Sequence, residues 1–472
     1  MRKLGGMDAM FLYSETATTP MHVAGLMYLQ LPEERRATYV EELKSMLLQR
    51  VHLVPYLTSR VEFTPMNLDH PVWVRHQAFD IDEHVHHVTV DAPGTIEQVE
   101  ALVAEIYEPL MDRSKPLWEM WVIDGLQNGQ IAFLQKTHHA CIDGMSSIKA
   151  AELLLDFEPI PREVEAAPAD FWDQEQPTYA RLLEQAFDNL SRYWWDGVRR
   201  YPALVQAAGR ASQRLVRERP ALSAPKTRLN TSIDAKRSFT NVEMSLSVLK
   251  AIAKTTGVKI NDVVLAICGE GLSRYLERHG EPTSRSLVAN CPVSLRKPGD
   301  ESIRNQVGSM NVSMETHVAD LFERLAAIHR SSNAAKAQMA DMSDAMPTDF
   351  GGIGLPAMLQ AFSQAFESGI AADWAQEVPM NVVISNVPGF SVPLYVAGAK
   401  LVGQMPMSIV VHGGAVNLTV TSYLDRMDLG ITAASKRIPD IRDLKDDLTH
   451  AYDEFVDRIL GTVDQDFAIA AA

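Results

Sequence analysis

Residues 117–124 (LWEMWVID) and 130–139 (QIAFLQKTHH) are both rich in branched and aromatic residues, and Asn128-Gly129 stands between them. Asn and Gly both tolerate positive φ, so this pattern predicts two strands joined by a tight hairpin turn. The second strand runs directly into His138-His139-Ala140-Cys141-Ile142-Asp143-Gly144. Helical spacing then predicts a helix from about Met145 to Phe157. A strand that ends on two histidines and passes into a helix calls for mixed sheet and helix around it.

The rest of the chain repeats this mixture. Residues 40–51 and 96–110 have helical spacing, and 85–90 read as a strand. Prolines and acids in 159–180 begin a linker, 181–217 look helical, and Pro220 and Pro225 break that pattern. From about Ser238 a second mixed region starts. It opens with two helices, for which Ser247 and Asn261 are the expected N-caps and Gly257 and Gly280 the stops. Strands are expected at 286–295, 309–314, 380–387 and 417–424, and an amphipathic helix closes the region at 440–460. A length of 472 residues calls for two or three domains at roughly 150 residues each. The expected division is a first domain at 1–165, a helical linker at 166–230 and a second domain at 231–472.

Charge and cysteine content exclude some functions. A formal charge of −16 argues against a nucleic-acid partner, which needs a basic surface. The three cysteines, Cys141, Cys268 and Cys291, are far apart and lack metal-ligand spacing, so neither a disulfide framework nor a metal site is expected. The first fifteen residues lack the apolar core of a secretory signal, and no apolar run approaches a membrane span. A cytoplasmic location is the expectation, with contact to the inner membrane or lipid inclusions as a peripheral option.

The bare pattern His-x-x-x-Asp is weak evidence, because it occurs three times, at His76/Asp80, His87/Asp91 and His139/Asp143. Only the third has both a second histidine before it and a glycine after it, and only it stands between a strand and a helix. A neutral histidine can take the proton of an alcohol as the oxygen attacks a thioester, then return it to the leaving thiolate. No metal and no covalent intermediate is needed. The aspartate is expected to turn away from substrate toward a cation, and Gly144 to permit a backbone path or a close approach that a Cβ would block. The bland alternative is a polar pair that closes a hairpin.

At this motif the sequence resembles the bacterial wax ester synthase/acyl-CoA:diacylglycerol acyltransferase family, within the wider HHxxxDG acyltransferases. Further blocks carry the resemblance: LGGMDAMFLYSETATTPMHVAGL at the start, PLMDRSKPLWEMWVIDGL at 109–126, Asn261-Asp262, PVSLR at 292–296 and SNVPG at 385–389. It implies an α/β (α+β) fold of two chloramphenicol-acetyltransferase-like domains with a tunnel between them. It also implies transfer of a fatty acyl group from acyl-CoA, as co-substrate, to a long-chain alcohol or diacylglycerol, with no bound cofactor. His139 would be the general base, His138 a supporting neighbour and Asp143 structural, with Arg296 as its cationic partner. Asn261 would shape the catalytic centre beside Asp262. Pro116, Leu117 and Trp118 would lie beside the acceptor channel. Ser385 and Asn386 belong to a block that is, on its residues alone, a good turn signal.

Two positions depart from the pattern. Cys141 stands where small or aliphatic residues are usual, which raises an acyl-cysteine alternative against the plainer one of a buried apolar residue. Ala24 stands where glycine is expected. Outside these blocks, residues 199–219 carry six arginines against one acid, with Trp194 and Trp195 upstream. Such a helix suits either an anionic membrane or lipid-droplet surface or a solvated linker. The alternatives to the acyltransferase are a condensation-domain relative with a carrier-bound donor and a lipid-binding protein without turnover.

Overall fold

The computed structural model describes residues 2–218, 223–282, 284–296, 299–300, 302–343, 355–367, 373 and 377–470. The hairpin forms: Trp118–Asp124 pairs antiparallel with Ile131–His138, Trp118 opposite Thr137 and Ile123 opposite Ala132. Its turn differs from the expected one. Gly125 and Gly129 take positive φ, at 87° and 74°, and Asn128 does not. The Asn128 side chain instead accepts from the N–H of Gln130 at 3.0 Å.

The hairpin lies in a six-stranded sheet in the order Tyr395–Val396, Ala399–Met407, His22–Gln30, Ile131–His138, Trp118–Asp124, Val85–Thr89. Only the last pair is parallel, and the helix Ile96–Tyr107 makes that crossover. Thr95 starts this helix with a capping box to Gln98. Helices Tyr39–Arg50 and Gly144–Leu154 contribute Leu43, Met46, Leu47, Ala150 and Leu154 to an apolar core with Met120, Ile131 and Phe133 of the sheet.

Two strands of this first sheet come from far along the chain. Ala399–Met407 pairs with His22–Gln30, Leu401 opposite Leu29 and Met407 opposite Ala24. Cutting the chain at 165 and 230 therefore leaves part of the first sheet in the second segment.

The second sheet has the order Val307–Ser313, Val288–Ser294, Val382–Phe390, Val416–Tyr423, Arg426–Ala434, Arg237–Ser245. Val382–Phe390 runs parallel to both its neighbours. Helices Leu246–Thr256, Ile260–Arg278, Leu321–Ser343 and Ile441–Ala470 join it around a second core, with Leu249, Leu265, Leu325 and Phe455 fully buried. Two helix starts differ from expectation. Ser245, not Ser247, accepts from the N–H of Val248. Lys259, not Asn261, is the N-cap of the next helix, with Asp262 accepting the Lys259 N–H at 3.0 Å. Gly257 ends its helix at φ 71°, as its backbone freedom predicts.

Between the halves runs the forty-residue helix Tyr179–Glu218, with Pro202 inside it. Arg219 lies outside the described residues, as do the side chains of Trp194, Arg200, Arg210, Arg214 and Arg217.

Candidate active site

The strand Ile131–His138 ends at the junction of the two halves, and the side chains of His138 and of His139 just beyond it turn different ways. His138 is fully buried. Its Nδ1 accepts the N–H of Ala140 at 3.0 Å, so its Nε2 carries the proton and lies 3.3 Å from Glu15 Oε1. Burial raises the Glu15 carboxyl, but its contacts with His138 and then Arg113 outweigh it and bring its pKa to about 2. His138 thus braces the loop rather than facing the cavity.

His139 lines the cavity. Its ring stacks on Phe11, centroids 4.0 Å apart and planes 10° from parallel. Its Nδ1 lies 3.1 Å from Oδ1 of Asn305. The Asn305 amide nitrogen donates to His139 O at 2.7 Å and to Asp8 Oδ1 at 2.8 Å, and its backbone N–H donates to the same Asp8 oxygen at 2.8 Å. These partners fix the amide orientation, because a flipped Asn305 would set oxygen against two acceptors. The oxygen facing the imidazole makes Nδ1 the protonated nitrogen and leaves Nε2 with a free lone pair. Burial lowers the imidazole pKa from its usual value and favours this neutral form.

Asp143 is the N-cap of helix Gly144–Leu154 and accepts from the N–H of Ser146 at 2.7 Å. Nη2 of Arg296 donates to both Asp143 oxygens at 3.0 Å, and the N–H of Gln306 adds a third contact at 2.9 Å. Arg296 also reaches Ser146 Oγ and the carbonyls of Ser302 and Arg304. Asp143 therefore fastens the motif loop to Arg296 and Gln306 of the second half. Gly144 stands where a Cβ would come 2.8 Å from Cγ2 of Val387, so its role is close approach between halves, not unusual backbone geometry.

The cavity holds about 600 Å³ and is mainly apolar. Met46, Phe133, Leu154 and Met405 line its arm within the first half, and Val293, Val383 and Val387 line the second sheet's wall. Ser385 and Asn386 also line it, and the Asn386 amide donates to Asn261 Oδ1 at 3.3 Å. Asn261 itself is not among the residues that line the cavity. Asp262 faces elsewhere, 2.6 Å from His329 Nδ1.

The Pro116-Leu117-Trp118 block does not line the cavity. Trp118 is buried, stacks on His84 at 4.3 Å and donates Nε1–H to Leu57 O. Leu117 O accepts the N–H of His138 at 3.0 Å. The block supports the motif from behind, because its aromatic bulk is used to fill the core. Cys141 is likewise buried outside the cavity lining, and burial pushes its thiol well above the usual range, which favours the plain apolar reading. Sequence reasoning missed Asp8, Phe11, Glu15 and Asn305. A helical Asp8/Phe11 pair and a lone asparagine carry no motif, and only their meeting at His139 gives them meaning.

The comparisons with known proteins agree with this architecture. The wax ester synthase/diacylglycerol acyltransferase catalytic domain matches residues 4–264, and the WS/DGAT C-terminal domain matches residues 304–455. The O-acyltransferase WSD of Acinetobacter baylyi is 29% identical over 464 residues, 96% of each chain. A putative diacylglycerol O-acyltransferase of Mycobacterium tuberculosis is 31% identical over 439 residues, 92% of this chain and 95% of that protein. The wax ester synthase/diacylglycerol acyltransferase structure from Marinobacter aquaeolei VT8 is similar with a TM-score of 0.67 and 27% identity, covering 97% of this chain and all of that one. The first condensation domain of the calcium-dependent antibiotic synthetase shares the fold, with a TM-score of 0.59 at 15% identity over 96% of each chain.

Two mixed sheets with a mainly apolar cavity between them, and these relatives, define an acyltransferase. The chain belongs to the wax ester synthase/diacylglycerol acyltransferase family.

Proposed function

We propose that this acyltransferase transfers a fatty acyl group from acyl-CoA to a long-chain alcohol or to diacylglycerol, with His139 as general base. The observation that carries the reading is an imidazole whose Nδ1 is tied to Asn305, on the wall of a mainly apolar cavity of about 600 Å³. Nε2 takes the hydroxyl proton as the oxygen attacks the thioester carbonyl. The tetrahedral intermediate then collapses, the C–S bond breaks, and the imidazolium returns the proton to the thiolate, leaving ester and free coenzyme A. Ser385 and Asn386 are the polar groups we assign to the developing oxyanion, with Asn261 orienting Asn386. Asp143 and Arg296 hold the loop to the second half.

No helix among the described residues is long and apolar enough to cross a membrane. We infer that the enzyme works in the cytoplasm and meets its insoluble acceptor at a lipid surface.

The test is free thiol release by purified protein given palmitoyl-CoA with hexadecanol or dioleoylglycerol, beside a folded His139→Ala variant. Thiol release with ester formation, lost in the variant, supports the reading, and the faster acceptor defines the preference. Retained acyl-CoA binding with no turnover by the wild-type protein would move the assignment to a carrier-dependent or binding-only protein. Full activity in the variant would overturn the role of His139.

A further inference from the structure

Two glutamines stand on the floor of the cavity arm within the first half, and the register of the sheet orders them. Gln135 lies opposite Gly25, and Pro406 lies opposite Gly25 on its other side. The row beyond, further from the motif, holds Phe133, Met27 and Gln404. All six residues line the cavity. Residues directly opposite one another in a ladder share a face of the sheet, so both glutamine side chains project into the arm. Four positions separate Gln135 from His139, roughly 13 Å of extended chain.

Neither glutamine side chain reaches a hydrogen-bond partner among the described residues. Asn417 and Thr419, which also line the cavity, differ. The Thr419 hydroxyl donates to Asn417 Oδ1 at 2.8 Å, and the Asn417 amide donates to Ile409 O at 2.9 Å. The walls around the glutamines are apolar, with Met46 and Leu154 contributed by the facing helices. A plain alkyl chain laid there would strip water from both amides and return no hydrogen bond, which costs free energy. Leucine at both positions would suit such a chain better. A few polar groups on an apolar wall are instead how a pocket orients and selects its ligand. Gly25 adds room beside Gln135, because a Cβ there would meet nothing within 4 Å.

We propose that this arm selects a chain that carries a hydroxyl near its middle, and that Gln135 and Gln404 recognise that hydroxyl. An amide offers an acceptor oxygen and N–H donors, so one side chain can accept the hydroxyl proton while the other donates to its oxygen. The separation from His139 sets the recognised group well along the chain from the reacting carbon. The proposal rests on the reading that the cavity takes a fatty chain, and it adds the class of that chain, a hydroxylated fatty acyl group or fatty alcohol.

The test is titration calorimetry of the full chain with two pairs of ligands, each ligand given alone. Oleoyl-CoA and ricinoleoyl-CoA differ by one mid-chain hydroxyl on the donor, and oleyl and ricinoleyl alcohol differ by the same group on the acceptor. The hydroxylated member of one pair should bind about tenfold more tightly, and that pair identifies the substrate whose chain fills the arm. In the variant Gln135→Leu/Gln404→Leu the preference should vanish or reverse, with plain chains bound at least as tightly as by wild type. Its melting temperature should match or exceed that of wild type. Equal binding within both pairs by the wild-type protein would overturn the proposal without any variant, and so would a preference that the leucine variant keeps. Thiol release from palmitoyl-CoA with hexadecanol or dioleoylglycerol tests the proposed function separately. Selective binding with no ester formed would sink that function and leave this site standing, whereas ester formation without selectivity would do the reverse.

Discussion

Nδ1 of His139 lies 3.1 Å from Oδ1 of Asn305, 166 positions further along the chain. The asparagine belongs to the segment that joins two strands of the second sheet, and Asp8 of the first helix fixes its amide. Both halves of the chain therefore set the tautomer of one imidazole. Asn305→Leu should lower kcat about 10–100-fold with little change in KM, the effect of losing an orienting hydrogen bond worth about 1.4–2.8 kcal/mol. Steady-state thiol release would measure both constants. A change confined to KM would count against a positioning role.

His139→Ala should lower kcat by about 10²–10⁴-fold and leave palmitoyl-CoA binding intact. The pH dependence follows from burial, which lowers the imidazole pKa from its usual value despite the opposing effect of Asp143. The active form is the neutral one. Activity should therefore be flat through neutral pH and fall only on the acid side, with its limb below about 6.5. A limb well above neutrality in the kcat/KM profile would contradict this.

Asp143 and Arg296 form a nearly buried pair that joins the motif loop to the second half. Removing one partner leaves the other charge buried, so Asp143→Ala should destabilise the protein by about 3–5 kcal/mol in urea unfolding. The double variant Asp143→Ala/Arg296→Ala should cost less than the sum of the two single changes. Strict additivity would mean that the pair is not coupled.

Gly144→Ala places a methyl 2.8 Å from Val387. Overpacking of this kind should cost about 1–3 kcal/mol. Val387→Ala added to it should restore much of the loss in a thermal unfolding assay. Failure of that second change to help would show that the glycine is needed for backbone reasons.

Gly25 lines the cavity, and a Cβ there would meet nothing within 4 Å. Gly25→Val should therefore fold normally while it narrows the arm between the first sheet and its helices. The expected outcome is a shift to shorter chains when thiol release is compared across a series of acyl-CoA and alcohol lengths. An unchanged chain-length profile would mean that the reacting chains do not use this arm.

The strand Ile131–His138, the helix after it and the motif between them were legible because hairpin pattern, turn glycine and helical period are local signals. The helix at 96–107 was legible for the same reason, with Thr95 and Gln98 three residues apart at its start. The strand Ala399–Met407 was not. Its place in the first sheet depends on the open edge of His22–Gln30, which no neighbour in sequence reveals.

The sequence by itself determined where the histidine pair stands, which glycine follows it and that a helix begins just beyond. Only the tertiary structure decided the rest: that His138 turns to Glu15 and His139 to the cavity, that Trp118 fills the core, and that Asn305 fixes the tautomer. The reason is physical. Secondary structure follows from spacing within a few residues, whereas the direction and protonation of a side chain depend on partners that only folding brings into contact.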